Sequence, residues 1–212
     1  MLIVVLVALA CLAAVWGFVA FRRWHLAWGT TPQEVAKTLA GDEVPVTRFG
    51  MHGTRAITIE APPEAVYPWI AQIGAGKAGW YSYDLLDNLG RESARVVLDE
   101  WQHPKVGDPA GPMNPFAPVA TSPWRIAACE EPLLLLWRNG DLATWVWSLT
   151  PTADGGTRLV SRLHVGYKGA SGLAFAPLLE VADFPMFRKM LLGIKERAEV
   201  LASADARDAQ VR

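Results

Sequence analysis

Two places in the chain carry side chains that could do chemistry. The first is Trp80-Tyr81-Ser82-Tyr83-Asp84, where two phenols and a carboxylate follow an indole within five residues. Such residues join apolar bulk to a polar tip, so they suit a pocket wall that holds a greasy molecule and hydrogen-bonds its polar end. They suit a packed helix equally, with Tyr83, Leu86 and Leu89 on one face and Asp84 and Asp87 solvated or capping. The second place is Arg162 and His164, two residues apart and therefore on one face of a strand. Tyr83 or Asp84 with Arg162 or His164 is the combination that would supply an acid and a base, provided both sets face one cavity. Period-2 alternation does not say which face of a strand is concave, so Arg162, His164, Trp145 and Trp147 stay open between pocket and surface.

Other reactive signatures are missing. The sequence has no G-x-S-x-G, no H-E-x-x-H, no P-loop and no cysteine–histidine pair at ligand spacing. Gly74-Ala75-Gly76-Lys77-Ala78-Gly79 spells G-x-G-x-x-G, but it follows a helical pattern, whereas a dinucleotide site needs it after a strand and before a helix. A turn is the expectation there. His103 lies in a loop where exposure is the default. Cys11 and Cys129 are far apart in unlike segments, so neither a disulfide nor a zinc site is expected. No cofactor is implied. The 212 residues carry a net charge of −1, which leaves no electrostatic footprint for nucleic acid. Nothing in the sequence sets an oligomeric state.

The elements that must position these groups can be read from periodicity. Ile57 and Ile59 alternate with Thr58 and Glu60 as a strand. Ala61-Pro62-Pro63-Glu64 then opens a helix with proline in its first turn. Val66, Trp69, Ile70 and Ile73 give that helix an apolar face, Pro68 should kink or split it, and Gly74 is a plausible stop. Prolines and glycines mark loops from Pro104 to Pro115, with Lys105-Val106-Gly107-Asp108 as a turn. Strands follow in series. Trp124, Ile126 and Ala128 alternate, Leu133 to Trp137 is apolar on both faces, Trp145, Trp147 and Leu149 share a face, and Thr157 to Val165 alternates. Arg138-Asn139-Gly140-Asp141 and Thr152 to Gly156 are hairpin turns, so the run is an antiparallel meander. From about Asp183, Phe184, Phe187, Leu191, Ile194, Ala198 and Leu201 recur at helical steps, giving a long amphipathic helix. Gly169 to Val181, with Pro177, reads as loop plus short helix, and 204–212 as a frayed tail.

The N-terminus is different in kind. Met1 to Phe21 has no charged side chain, and about twenty apolar residues suffice to cross a bilayer core. Arg22, Arg23 and His25 follow, with Trp24 and Trp28 suited to the interface. A signal peptide would have a basic start and a shorter apolar run, so residues 1–23 are expected to be an uncleaved anchor. The positive-inside rule then puts the domain on the cytoplasmic side of a cell membrane, held by a single pass. Residues 24–53 read as a connector, in which Thr31 and Glu34 could cap a short helix.

The strand before Ala61, the run Ala61-Pro62-Pro63-Glu64 through Trp69, the segment Gly79 to Asp84 and the segment Glu100 to Asp108 together resemble the SRPBCC superfamily. These are the START/Bet v 1-like helix-grip proteins, which include polyketide cyclase/dehydrase and lipid-transport members. The closest likeness is to a bacterial branch with an N-terminal membrane helix. The resemblance implies an α+β fold over 54–203, with a curved antiparallel sheet around a long C-terminal helix and a cavity between them. The residues it would bring to a ligand are Trp69, Trp80, Tyr81, Tyr83 and Trp101 before the main strands. Trp145, Trp147, Arg162 and His164 would come from the strands, and Phe187 and Leu191 from the closing helix. The expected function is a membrane-anchored binder of a hydrophobic small molecule or lipid. The alternatives are a cyclase/dehydratase-like enzyme using polar groups in the cavity, and a structural or regulatory module whose cavity is filled by its own side chains.

Overall fold

Alternating side chains and tight turns build a single sheet. In the computed structural model, which describes residues 1–44, 46, 50–113, 115–167 and 169–211, five strands are paired throughout in antiparallel fashion. They are β1 (Gly50–Ile59), β2 (Arg125–Glu130), β3 (Leu134–Asn139), β4 (Ala143–Pro151) and β5 (Thr157–Gly166). The spatial order is β1-β5-β4-β3-β2. The meander β2 to β5 is thus closed by β1, which pairs with β5 from Gly50↔Gly166 to Ile59↔Thr157.

Both faces of the sheet are covered, by different parts of the chain. The concave face presents Leu135, Trp137, Trp145, Trp147, Leu159 and Leu163, all buried against two helices. These are α3 (Pro63–Ala71) and α5 (Gly169–Val211), with the short α4 (Asp84–Asp87) between α3 and β2 in the chain. The convex face presents Ala56, Leu136, Val146 and Val160, which pack on Leu39 of the connector. The expected two-sided burial of β3 is therefore met, with Leu135 and Trp137 inward and Leu136 outward. Leu191 and Ile194 of α5 are fully buried, and burial of such side chains contributes roughly 1.5–3 kcal/mol each.

Helix boundaries differ from expectation in two places. Pro68 does not split α3, which runs unbroken to Ala71. Helix α5 does not start near Asp183 but at Gly169, and it continues through 204–211. Tertiary ion pairs hold the helix about three turns in, where Glu180 meets Arg22 at 2.7 Å and Asp183 meets Arg55 at 2.7 Å. No local pattern reveals that support. Gly193 lets α5 approach the loop after α3, since a Cβ there would sit 2.2 Å from the Tyr81 carbonyl oxygen.

The N-terminal helix α1 (Leu2–Leu26) is apolar and exposed up to residue 20, and it is long enough to cross a membrane. Its last turns dock on the domain. His25 is buried, and Phe21, Trp24 and His25 lie around Phe184 of α5. The connector begins with α2 (Pro32–Ala36), whose predicted cap is present. The Glu34 amide donates to Thr31 Oγ1, and the Thr31 amide donates to Glu34 Oε2.

Candidate functional site

The concave face and α5 do not close on each other along their whole length. Between them lies a cavity of about 670 Å³, open on one side. Met51, Ala143, Trp145, Leu163 and Val165 line it from the sheet. Leu179, Ala182, Met186, Phe187 and Met190 line it from α5, at the three- and four-residue steps of one helix face. Pro112, Met113, Pro123 and Trp124 come from the long loop before β2.

Four indoles make the cavity's inner wall and the core behind it. Trp80 stacks on Trp145 at 10° and 5.8 Å, and Trp145 stacks on Trp147 at 26° and 4.5 Å. Trp137 meets all three edge-on. Trp145 Nε1 donates to Ser161 Oγ at 2.9 Å, which fixes the ring and satisfies its polar atom. An aromatic wall held this way loses little side-chain entropy when a flat apolar molecule lies on it.

Polar groups on the wall are few: Ser82, Asp87, Asn139, Tyr167 and Asp183. Ser82 Oγ donates to the Met186 carbonyl at 3.0 Å. The Tyr167 hydroxyl faces Glu180 at 3.4 Å, and burial raises its pKa to about 12. Asp183 receives Arg55 Nη1 at 2.7 Å. Burial also pushes the Asp87 carboxyl up to about 6, with like charge from Asp84 adding to the effect and the Ser82 hydroxyl opposing it. Among the described residues no cluster of three or more metal-ligating side chains occurs.

The structure divides the sequence-predicted residues into five groups. Trp80, Trp145 and Phe187 line the cavity. Trp147 and Leu191 lie in the core cluster with the lining residues, not among them. Trp69 and Tyr81 are buried off the cavity. Tyr81 has φ +57°, and its hydroxyl donates to the Trp69 carbonyl at 3.1 Å and accepts from Gln72 Nε2 at 3.0 Å, which holds that left-handed backbone. Trp101 lies under the Lys77 ammonium, 4.9 Å from its ring centre, and Tyr83 is 45% exposed beside exposed Leu86 and Leu89.

Arg162 and His164 belong to the convex face, so neither reaches the cavity. Arg162 is buried and donates to the carbonyls of Glu34, Val35 and Lys37, to Thr54 Oγ1 and to Asp42. It fastens the connector to the sheet. His164 stacks edge-on with His52 at 4.7 Å, and burial lowers its pKa to about 4. The physical reason is register: Leu159, Ser161 and Leu163 take the inward positions of β5, leaving Arg162 and His164 outward. The acid–base combination of Tyr83 or Asp84 with Arg162 or His164 is therefore not assembled. Asp87, Asp183, Tyr167, Met186 and Met190 line the cavity without having been singled out. Met186 and Met190 share the Ala182 stripe of α5, a spacing visible in the sequence, whereas Asp87 and Asp183 gave no such signal.

No family model matches the chain and no curated protein matches it. Solved structures do. A polyketide-cyclase-like protein from Corynebacterium glutamicum is 18% identical at a TM-score of 0.42, covering 73% of this chain and 94% of its own. A protein from Mycobacterium smegmatis is 17% identical at 0.35, with 73% and 92% covered. The C-terminal domain of a Deinococcus radiodurans protein is 21% identical at 0.30, with 72% and 94% covered. The chain's own topology, an antiparallel five-stranded sheet wrapped on a long C-terminal helix, is the helix-grip arrangement expected from the sequence.

Proposed function

We propose that this chain is a membrane-anchored binding protein for a hydrophobic small molecule or lipid, held between the sheet and α5. The observation that carries the reading is the cavity of about 670 Å³ with its almost wholly apolar, indole-backed wall. Its size falls inside the roughly 300–1,000 Å³ of small-molecule sites, and such sites are mostly apolar with a few polar groups. A module whose cavity is filled by its own side chains would not leave this space. An enzyme built on Arg162 or His164 would need them on the other face of β5.

The anchor supports the same reading. Helix α1 has 25 residues, roughly 37 Å at 1.5 Å per residue, enough for a hydrocarbon core. Arg22 and Arg23 at its end favour a cytoplasmic domain. Arg22 pairs with Glu180, one residue from the cavity-lining Leu179. The cavity is thus tied close to the end of α1, where an amphiphile leaving the bilayer would first meet the protein.

The test is a titration of the full chain, held in amphipol, with anthracene, read by energy transfer from indole to the probe. Saturable transfer at one probe per chain is expected. Transfer that only grows linearly, as in empty amphipol, would overturn the proposal.

A further inference from the structure

The polar groups on the cavity wall are not equivalent. Asp183 is matched by the Arg55 guanidinium. Tyr167 faces Glu180. Ser82 Oγ is hydrogen-bonded to the Met186 carbonyl, and its hydroxyl also favours the charged form of the neighbouring Asp87 carboxyl. Asn139 is a neutral amide, which leaves Asp87 as the wall carboxylate without an ion pair among the described residues. It stands beside that hydroxyl, its Oδ1 is buried without a hydrogen-bond partner, and Asp84 adds charge of the same sign. Among the described residues, the wall holds no Lys, Arg or His.

The chemistry of such a wall is one-sided. Asp87 lines the cavity, and a ligand N–H or O–H meeting an ionised carboxylate there makes the stronger class of hydrogen bond. A second carboxylate brought into the same low-dielectric space would meet Asp87 and find no cation on the wall to answer it. We infer that the cavity selects an apolar ligand ending in a hydrogen-bond donor, a hydroxyl or an amine, and rejects one ending in a carboxylate, with Asp87 as the discriminating acceptor. This rests on the proposal that the cavity binds apolar ligands at all.

Four probes of one shape separate the two claims: anthracene, 2-hydroxyanthracene, 2-aminoanthracene and 2-anthracenecarboxylate. Each is titrated into the full chain in amphipol at about pH 8, where Asp87 is ionised. The hydroxy or amino probe is expected to bind about tenfold or more tighter than the carboxylate probe. In Asp87→Asn that ratio should fall below about threefold, mainly because the carboxylate probe binds better. A carboxylate probe bound as tightly as the donors by the unaltered chain would overturn the inference. So would an unchanged ratio in Asp87→Asn. Failure of plain anthracene to bind would instead remove the proposed function and this inference with it. The ranking in the unaltered chain decides the matter even where the variant folds poorly.

Discussion

Arg55 Nη1 donates to Asp183 Oδ2 at 2.7 Å, and the same buried guanidinium donates through Nε to the His25 carbonyl at 2.9 Å. One side chain on β1 therefore joins the end of α1 to the cavity-lining turn of α5. Its carbon Cζ also lies 4.4 Å from the centre of the Phe187 ring, a cation–π contact on a residue of the cavity wall. Removing one partner of such a pair leaves the other charge buried alone. Arg55→Met is expected to destabilise the chain by about 3–5 kcal/mol. Arg55→Met/Asp183→Leu should recover part of that loss. Denaturant unfolding of the three proteins checks this, and a double variant no more stable than the single would count against it.

Arg162 gives a prediction that separates structure from binding. Its guanidinium satisfies the carbonyls of Glu34, Val35 and Lys37 from the convex face. Arg162→Met should lower stability by about 2–3 kcal/mol, because acceptors are left unpaired. Anthracene affinity at a temperature where the variant is folded should stay within about twofold, since nothing on the cavity wall changes. Loss of affinity without loss of stability would mean that the side chain reaches the ligand after all.

The connector should detach in acid. Arg158 holds the Glu34 carboxylate through Nε at 2.7 Å and Nη2 at 2.9 Å, and that hydrogen bonding, reinforced by the Thr31 amide, lowers its pKa from 4.5 to about 2. A carboxyl whose folded pKa is depressed stabilises the fold above its ordinary value, and the contribution fades as pH falls through the folded one. The window here runs from about 4.5 down to about 2. Amide protection factors across 29–39, taken against the intrinsic exchange rate at each pH, should fall through that window. In Glu34→Gln protection should be low already at neutral pH and show no further step.

Much of the fold was legible in the sequence because its strands alternate and its turns carry Asn-Gly and Asp-Gly. The faces were not legible. On β4 and β5 both faces are apolar, Trp145, Trp147 and Leu159 inward and Val146 and Val160 outward, because α5 covers one and the connector the other. Alternation then loses its usual contrast between core and solvent, and Arg162 can pass for a pocket residue while it holds the connector. The indole wall was half legible. Trp145 and Trp147 announce a shared face, but that Trp80 stacks on Trp145 depends on the loop after α3 returning to the sheet. Asp87 shows the sharper limit, since an oxygen without a partner is a property of everything around it and not of any spacing. The helical state around Glu180 and Asp183 was illegible for a similar reason, because their partners Arg22 and Arg55 lie far along the chain.

Filling the cavity tests the central claim most directly. Ala182 lines the space from an exposed position on α5, so Ala182→Trp adds bulk there at little expense to the core. Both proteins are titrated with anthracene in amphipol, and their unfolding midpoints are compared. The account predicts that the variant keeps the unaltered chain's midpoint within a few degrees and binds anthracene at least about tenfold more weakly. Equal, saturable binding by both proteins would place the ligand elsewhere and contradict the account.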